Sequence, residues 1–264
     1  QVMRMRPDGS RFSRAELWNA YQQVKKKTSI RSQAGSWQIL GPVQQPANNG
    51  TGQPNGMGRI NALAYDPTDP LRIWAGAASG GLWVTSDGGQ SWTGLSDTLP
   101  TLGVSSLAVD PINPSIVYMG TGDRDHGDAP GVGVMKSYDG GFNWIMSNNG
   151  MGNRVVGALL IHPNNPAILL AATNAGIFRS VDSAATWTLT SSASNFKDMV
   201  FHPINPNIVY AASGGNFFRS VNNGQSWSPV SNGLPGGNRG VIGVSPHTPD
   251  MVYFLLTNQQ TFKG

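Results

Sequence analysis

The sequence predicts an all-β fold, a β-propeller of four-stranded blades: four blades and part of a fifth, preceded by an N-terminal helical arm. Three observations carry this. Two sequence landmarks recur together at intervals of 40–52 residues. The 264-residue chain is punctuated by 34 Gly and 18 Pro, the currency of tight turns. Glu16 is the one glutamate, in a composition that lacks the residues from which long helices are built.

The arm comes first, as residues 1–35. Ser13-Arg14-Ala15-Glu16 reads as a capping box, in which Ser13 caps a free amide and Glu16 reaches back to the Ser13 N–H. Leu17, Tyr21 and Val24 follow on one face, and Lys25, Lys26 and Lys27 complement the helix dipole at the far end. A helix is expected at about 13–27, docked on the outside of the main domain. Eight of the 18 bases fall within the first 31 residues, and the rest of the chain holds a slight excess of acid. No nucleic-acid partner is expected, because the body lacks the basic face that successive phosphates require. With no cysteine, disulfides, thiolate metal sites and Cys nucleophiles are excluded. No apolar run is long enough to span a membrane as a helix.

Residues 36–264 carry the repeat. The first landmark is a strand ending in a proline turn: Leu63 to Pro67, Leu107 to Pro111, Leu160 to Pro163, Val200 to Pro203, Gly243 to Pro246. The second follows each of the first four: Thr85 to Trp92, Ser137 to Trp144, Ser180 to Trp187, Ser220 to Trp227. Within the first unit the expected strands are 60–65, 73–77, 81–85 and 91–95, and four strands per repeat of this length is propeller arithmetic. Ser36-Trp37-Gln38-Ile39-Leu40 matches the strand after each second landmark and is expected to close the final blade. The chain stops where a third strand of the fifth blade should begin, so it is expected to be the front of a longer protein.

The second landmark, Ser-x-Asp-x-Gly-x-x-Trp, resembles the Asp-box (BNR-repeat) hairpin of sialidases, xyloglucanases and sortilin-like receptors. The resemblance implies structural posts for Asp87, Trp92, Asp139, Trp144, Asp182, Trp187, Asn222 and Trp227, with Ala184 and Asn222 departing from the pattern. The Asp would cap turn amides and the Trp would pack between hairpins. Gly58 to Ala62, Gly80 to Trp83 and Thr121 to Ser137 are similar to large surface proteins of Bacteroidota, in which a helical arm leads into such blades. That likeness implies export by the type IX secretion system and a place on the outer face of a Gram-negative outer membrane.

Chemistry is sparse. Glycoside hydrolysis needs two carboxyls about 5–9.5 Å apart. Most acids here have turn or hairpin posts, and Ala78 stands where the xyloglucanase-like pattern Thr-Asp-Ile-Gly-Gly carries its acid. Sialidases carry an Arg-Ile-Pro segment, which Arg59-Ile60-Asn61 lacks. Asp123, Asp125 and Asp128 form one further cluster, in an insertion of the second repeat. They are either a solvated loop steadied by Arg124 or oxygen ligands for Ca²⁺. Trp74 and Trp83 are either blade packing or a sugar platform. His162 and His202 stand where Asp66 and Asp110 do, as turn caps. The sequence thus leads to the expectation of a secreted or cell-surface propeller without a catalytic role. It would serve binding, adhesion or complex assembly with a protein or glycan partner, secretion machinery or an outer-membrane complex. The alternative is a glycoside hydrolase, xyloglucanase- or sialidase-like, with catalytic acids outside this segment or in the Asp123 loop.

Overall fold

The computed structural model describes residues 59–258, apart from 126, 128, 232 and 235, together with the backbone of two short strands at 3–5 and 261–263. The expected helix at about 13–27 and the expected strand at 36–40 lie outside the described residues. Within them every regular element is a β-strand.

Strand β1 is Met3–Met5. Blade 1 comprises β2 (Ile60–Tyr65), β3 (Ile73–Ala77), β4 (Leu82–Thr85) and β5 (Thr93–Gly94). Blade 2 comprises β6 (Val104–Val109), β7 (Val117–Thr121), β8 (Val134–Ser137) and β9 (Ile145–Met146). Blade 3 holds β10 (Val156–Ile161), β11 (Leu169–Thr173), β12 (Gly176–Ser180) and β13 (Thr188–Ser191); blade 4 holds β14 (Phe196–Phe201), β15 (Val209–Ser213), β16 (Asn216–Ser220) and β17 (Ser228–Val230). Each is an antiparallel sheet in sequence order. The fifth sheet has β18 (Arg239–Val244), β19 (Val252–Asn258) and β20 (Thr261–Lys263), so its third strand does begin at the end of the chain. The outer edge of β19 is shared: β20 pairs with its second half and β1 with its first, Met3 opposite Phe254. The described pairing on this sheet thus uses the start of the arm.

The innermost strands β2, β6, β10, β14 and β18 stand side by side in order. The second strands of blades 2 and 3, Val-Tyr-Met-Gly-Thr and Leu-Leu-Ala-Ala-Thr, are buried along their whole length. They read as continuous apolar runs because a blade is covered on both faces. Four apolar layers separate five sheets. Trp74, Leu82 and Val104 lie in the first, Tyr118, Leu159 and Phe178 in the second, Leu170, Ile177 and Phe196 in the third, Tyr210, Phe217 and Phe254 in the fourth.

The turn after each innermost strand is capped from its first residue. Asp66 Oδ1 accepts the amides of Thr68 and Asp69, and Asp110 Oδ1 those of Ile112 and Asn113. His162 Nδ1 accepts from Asn164, and His202 Nδ1 from Ile204 and Asn205, so the imidazole takes over the carboxylate's post. These turns lie at the lower end of the blades, with the hairpins joining third and fourth strands. The upper end carries the turns between second and third strands and the connections from blade to blade. Here each of β2, β6, β10 and β14 has a bulge, at Asn61, Ser105, Gly157 and Lys197. A bulge re-aims the chain locally, and this one recurs where the innermost strands open onto the upper face.

Candidate functional site

The lower hairpins are held by hydrogen bonds among their own residues. Asp87 accepts from Thr85 Oγ1 and from the amide and hydroxyl of Ser91. Asp139 accepts from Ser137 Oγ and from the amide and Nδ2 of Asn143, and Asp182 from Ser180 Oγ and Thr186. Asn222 reproduces the pattern with its amide oxygen on Ser220 and Ser226, while its Nδ2 donates to Ser226 Oγ. The hydrogen bonds from Asn143 and Ser137 lower the Asp139 pKa to about 2, and those from Ser91 and Thr85 lower that of Asp87 further. Trp187 and Trp227 each donate their indole N–H to the preceding blade, to Ser147 O and Thr190 Oγ1. Trp144 donates to its own Gly141 O and packs in the first layer, whereas Trp92 is 41% exposed. Among the described residues no blade lies before blade 1. That also accounts for exposed Leu63 and Trp83, whose counterparts Leu159 and Phe178 are buried. Trp74 is wholly buried and donates to Gly140 O, as packing requires.

The chemistry gathers at the upper end, on the loop between β7 and β8. Gly122, with φ +98°, turns the chain inward, and the loop is closed by the Asp123 amide on Ala129 O. Asp123 has a fully buried side chain and binds Arg59 Nη2 of blade 1 at 2.6 Å. Asp125, two residues on, meets Arg239 of the fifth sheet, Lys197 Nζ of blade 4 at 3.9 Å and Arg124 Nε at 3.7 Å. Arg124 Nη1 donates to Gly157 O and Lys197 O, the carbonyls of the bulge residues of blades 3 and 4. The blade 2 bulge joins in, since Ser105 Oγ binds Gly122 O. One loop thus reaches across the tops of the innermost strands and is held by each of the five described sheets. Burial alone would raise the Asp125 pKa; the Arg239 hydrogen bond, with the charges of Arg239, Arg124 and Lys197, outweighs it and lowers the pKa. A carboxyl held ionised can act as a base, or stabilise positive charge, but cannot donate a proton.

Of the three acids expected here, the structure brings Asp123 and Asp125 together on cationic partners. Asp128 and His126 lie outside the described residues. No group of three or more His, Asp or Glu that could hold a metal ion occurs among the described residues. Sequence reasoning missed Arg59, Lys197 and Arg239. Their signal was positional: aligned on the repeat, all three fall at the start of an innermost strand. Ala78, at the corresponding turn of blade 1, is buried and offers a methyl group.

No family model matches the chain. It is 29% identical over 155 residues to xyloglucanase Xgh74A of Acetivibrio thermocellus, across 53% of this chain and 18% of that protein. A xyloglucanase of a Paenibacillus species is 28% identical over 159 residues, covering 53% of this chain and 15% of its own length. Among solved structures, an ancestral GH74 enzyme superposes with a TM-score of 0.64 at 19% identity, over 76% of this chain and 28% of that one. The chain therefore spans less than a fifth of the curated relatives it matches, and the structural likeness establishes the propeller fold. The relatives are xyloglucanases. That overturns the expectation of a non-catalytic propeller for binding, adhesion or complex assembly, and turns the reading to glycoside hydrolysis. No helix among the described residues is long and apolar enough to cross a membrane.

Proposed function

We propose that the chain is part of a secreted glycoside hydrolase acting on xyloglucan or a similar polysaccharide, with the upper mouth as its substrate face. We read the four lower hairpins as Asp-boxes that hold the scaffold. The observation that carries the proposal is the convergence of Arg59, Asp123, Arg124, Asp125, Lys197 and Arg239 from four blades onto one loop above the innermost strands. Sequence similarity to xyloglucanases supports it.

Asp125 is the carboxylate assigned to the reaction, in the base role that its ionised state suits. Asp123 positions it, since Asp123 Oδ1 accepts the Asp125 amide at 3.2 Å. The acid partner that hydrolysis requires is assigned to a residue outside those described. The test is release of reducing ends from xyloglucan by the full-length protein. Wild type should hydrolyse it, and Asp125→Asn should lose about 10²–10⁴ in kcat, the usual worth of a positioned base. Absence of hydrolysis by the wild type, or an Asp125→Asn enzyme at the wild-type rate, would refute the assignment.

A further inference from the structure

The lower rim repeats one inter-blade tie. The residue after the Asp or Asn of each hairpin, Gly140, Ser183 and Asn223, has a left-handed backbone with φ of 76°, 57° and 56°. Its carbonyl oxygen is thereby turned toward the preceding blade. Gly140 O accepts from Trp74 Nε1 at 2.9 Å. Ser183 O accepts from Lys136 Nζ at 2.9 Å and Tyr118 Oη at 3.3 Å. Asn223 O accepts from Arg179 Nε at 2.9 Å. The donors occupy fixed places: the second residue of a blade's second strand, and the residue directly opposite it, next to last in the third strand. Trp74 faces Val84, Tyr118 faces Lys136, and Leu170 faces Arg179.

In blade 4 this pair is Tyr210 and Arg219. Tyr210 is wholly buried, yet neither its Oη nor Arg219 Nε, both buried atoms, has a hydrogen-bond partner among the described residues. Leaving such donors unmet is costly. The fifth sheet already packs on blade 4 as each blade packs on the one before, through Tyr210, Phe217, Val252 and Phe254. What is missing from the pattern is the turn carbonyl.

We propose that Tyr210 Oη and Arg219 Nε form a socket for one backbone carbonyl. Its occupant is a left-handed turn residue in a hairpin that continues the fifth sheet after β20 in the full-length protein. The partner chemistry is fixed by the three completed ties: a carbonyl oxygen presented by a tight turn, not a carboxylate or a free strand edge. This inference is independent of the proposed activity.

The test compares melting temperatures of the full-length protein carrying Tyr210→Phe, which deletes one oxygen, with those of Tyr118→Phe, which breaks a tie already described. Both should melt about 2–4 °C lower than wild type, the shift expected for one net hydrogen bond in a domain of this size. Should Tyr210→Phe fail to accumulate, Arg219→Gln carries the same comparison. An unchanged melting temperature for the blade 4 variant overturns the proposal. So does a loss that grows on dilution, which would place a second copy of the chain in the socket, or a full-length crystal structure with Tyr210 Oη on water or a side chain.

Discussion

At Asp87, Asp139 and Asp182 a carboxylate gathers donors from the two arms of one hairpin, and each is held below the ordinary carboxylate range. A depressed folded-state pKa contributes stability that is fully present above the unfolded value of about 4 and is lost as pH falls through the folded one. Urea midpoints should therefore decline as pH falls below about 4, through the Asp139 value of about 2 and further still for Asp87. Asp87→Asn, which copies the working arrangement at Asn222 and Ser226, should hold its midpoint at pH 7 and lose less than wild type on acidification. A steeper acid loss in that variant would contradict the account. These residues were legible in the sequence because all their partners lie within four positions. The mouth was not, since Arg59 and Asp123 are 64 residues apart, and Arg239 and Asp125 are 114 apart. Only the stacking of blades joins them.

Strand boundaries show the same divide between local and distant causes. In blade 1 the second and third strands, Ile73–Ala77 and Leu82–Thr85, follow the expected positions, because apolar runs bounded by Gly and Pro turns leave little choice. The fourth strand of blade 1 is shorter than expected: β5 keeps Thr93–Gly94 of the predicted 91–95. Ser91 is taken by the Asp87 cap, and an outermost strand has a partner on one side alone. Connections differ equally in tolerance. Gly127, with φ +75°, has open space where a Cβ would stand, so Gly127→Ala should cost about 1–2 kcal/mol from the left-handed backbone alone. At Gly150, with φ +85°, a Cβ would overlap the Trp187 carbonyl oxygen of the next blade. Gly150→Ala should lose clearly more in denaturant titrations, and equal losses would mean that the contact between blades 2 and 3 yields.

Across the described residues, five sheets enclose four apolar layers, and the repeat made this architecture readable in advance. Function was less so. The absence of an acid at Ala78 led to a non-catalytic reading, while similarity to xyloglucanases runs along 53% of the chain. Charge at the mouth also bears on the choice between a loop steadied by bases and a Ca²⁺ site. Among the described residues Arg59, Arg124, Lys197 and Arg239 surround Asp123 and Asp125, and four bases against two carboxylates disfavour a divalent cation. Melting curves with and without EDTA should coincide. A drop with EDTA that added Ca²⁺ restores would instead support Ca²⁺ on the Asp123, Asp125 and Asp128 cluster.

The ties to the left-handed turn carbonyls run one way along the chain: side chains of an earlier blade donate, and the turn of the next one accepts. During synthesis the earlier blade leaves the ribosome first. Each finished sheet therefore meets water with donors that only its successor can cover, and the growing protein has a leading edge. That edge discriminates, because a bent carbonyl satisfies it and a passing extended segment does not. Domains emerging in order are prone to joining the wrong neighbour, and near-identical repeats most of all. A directional latch of this kind would tie the order of assembly to the order of translation.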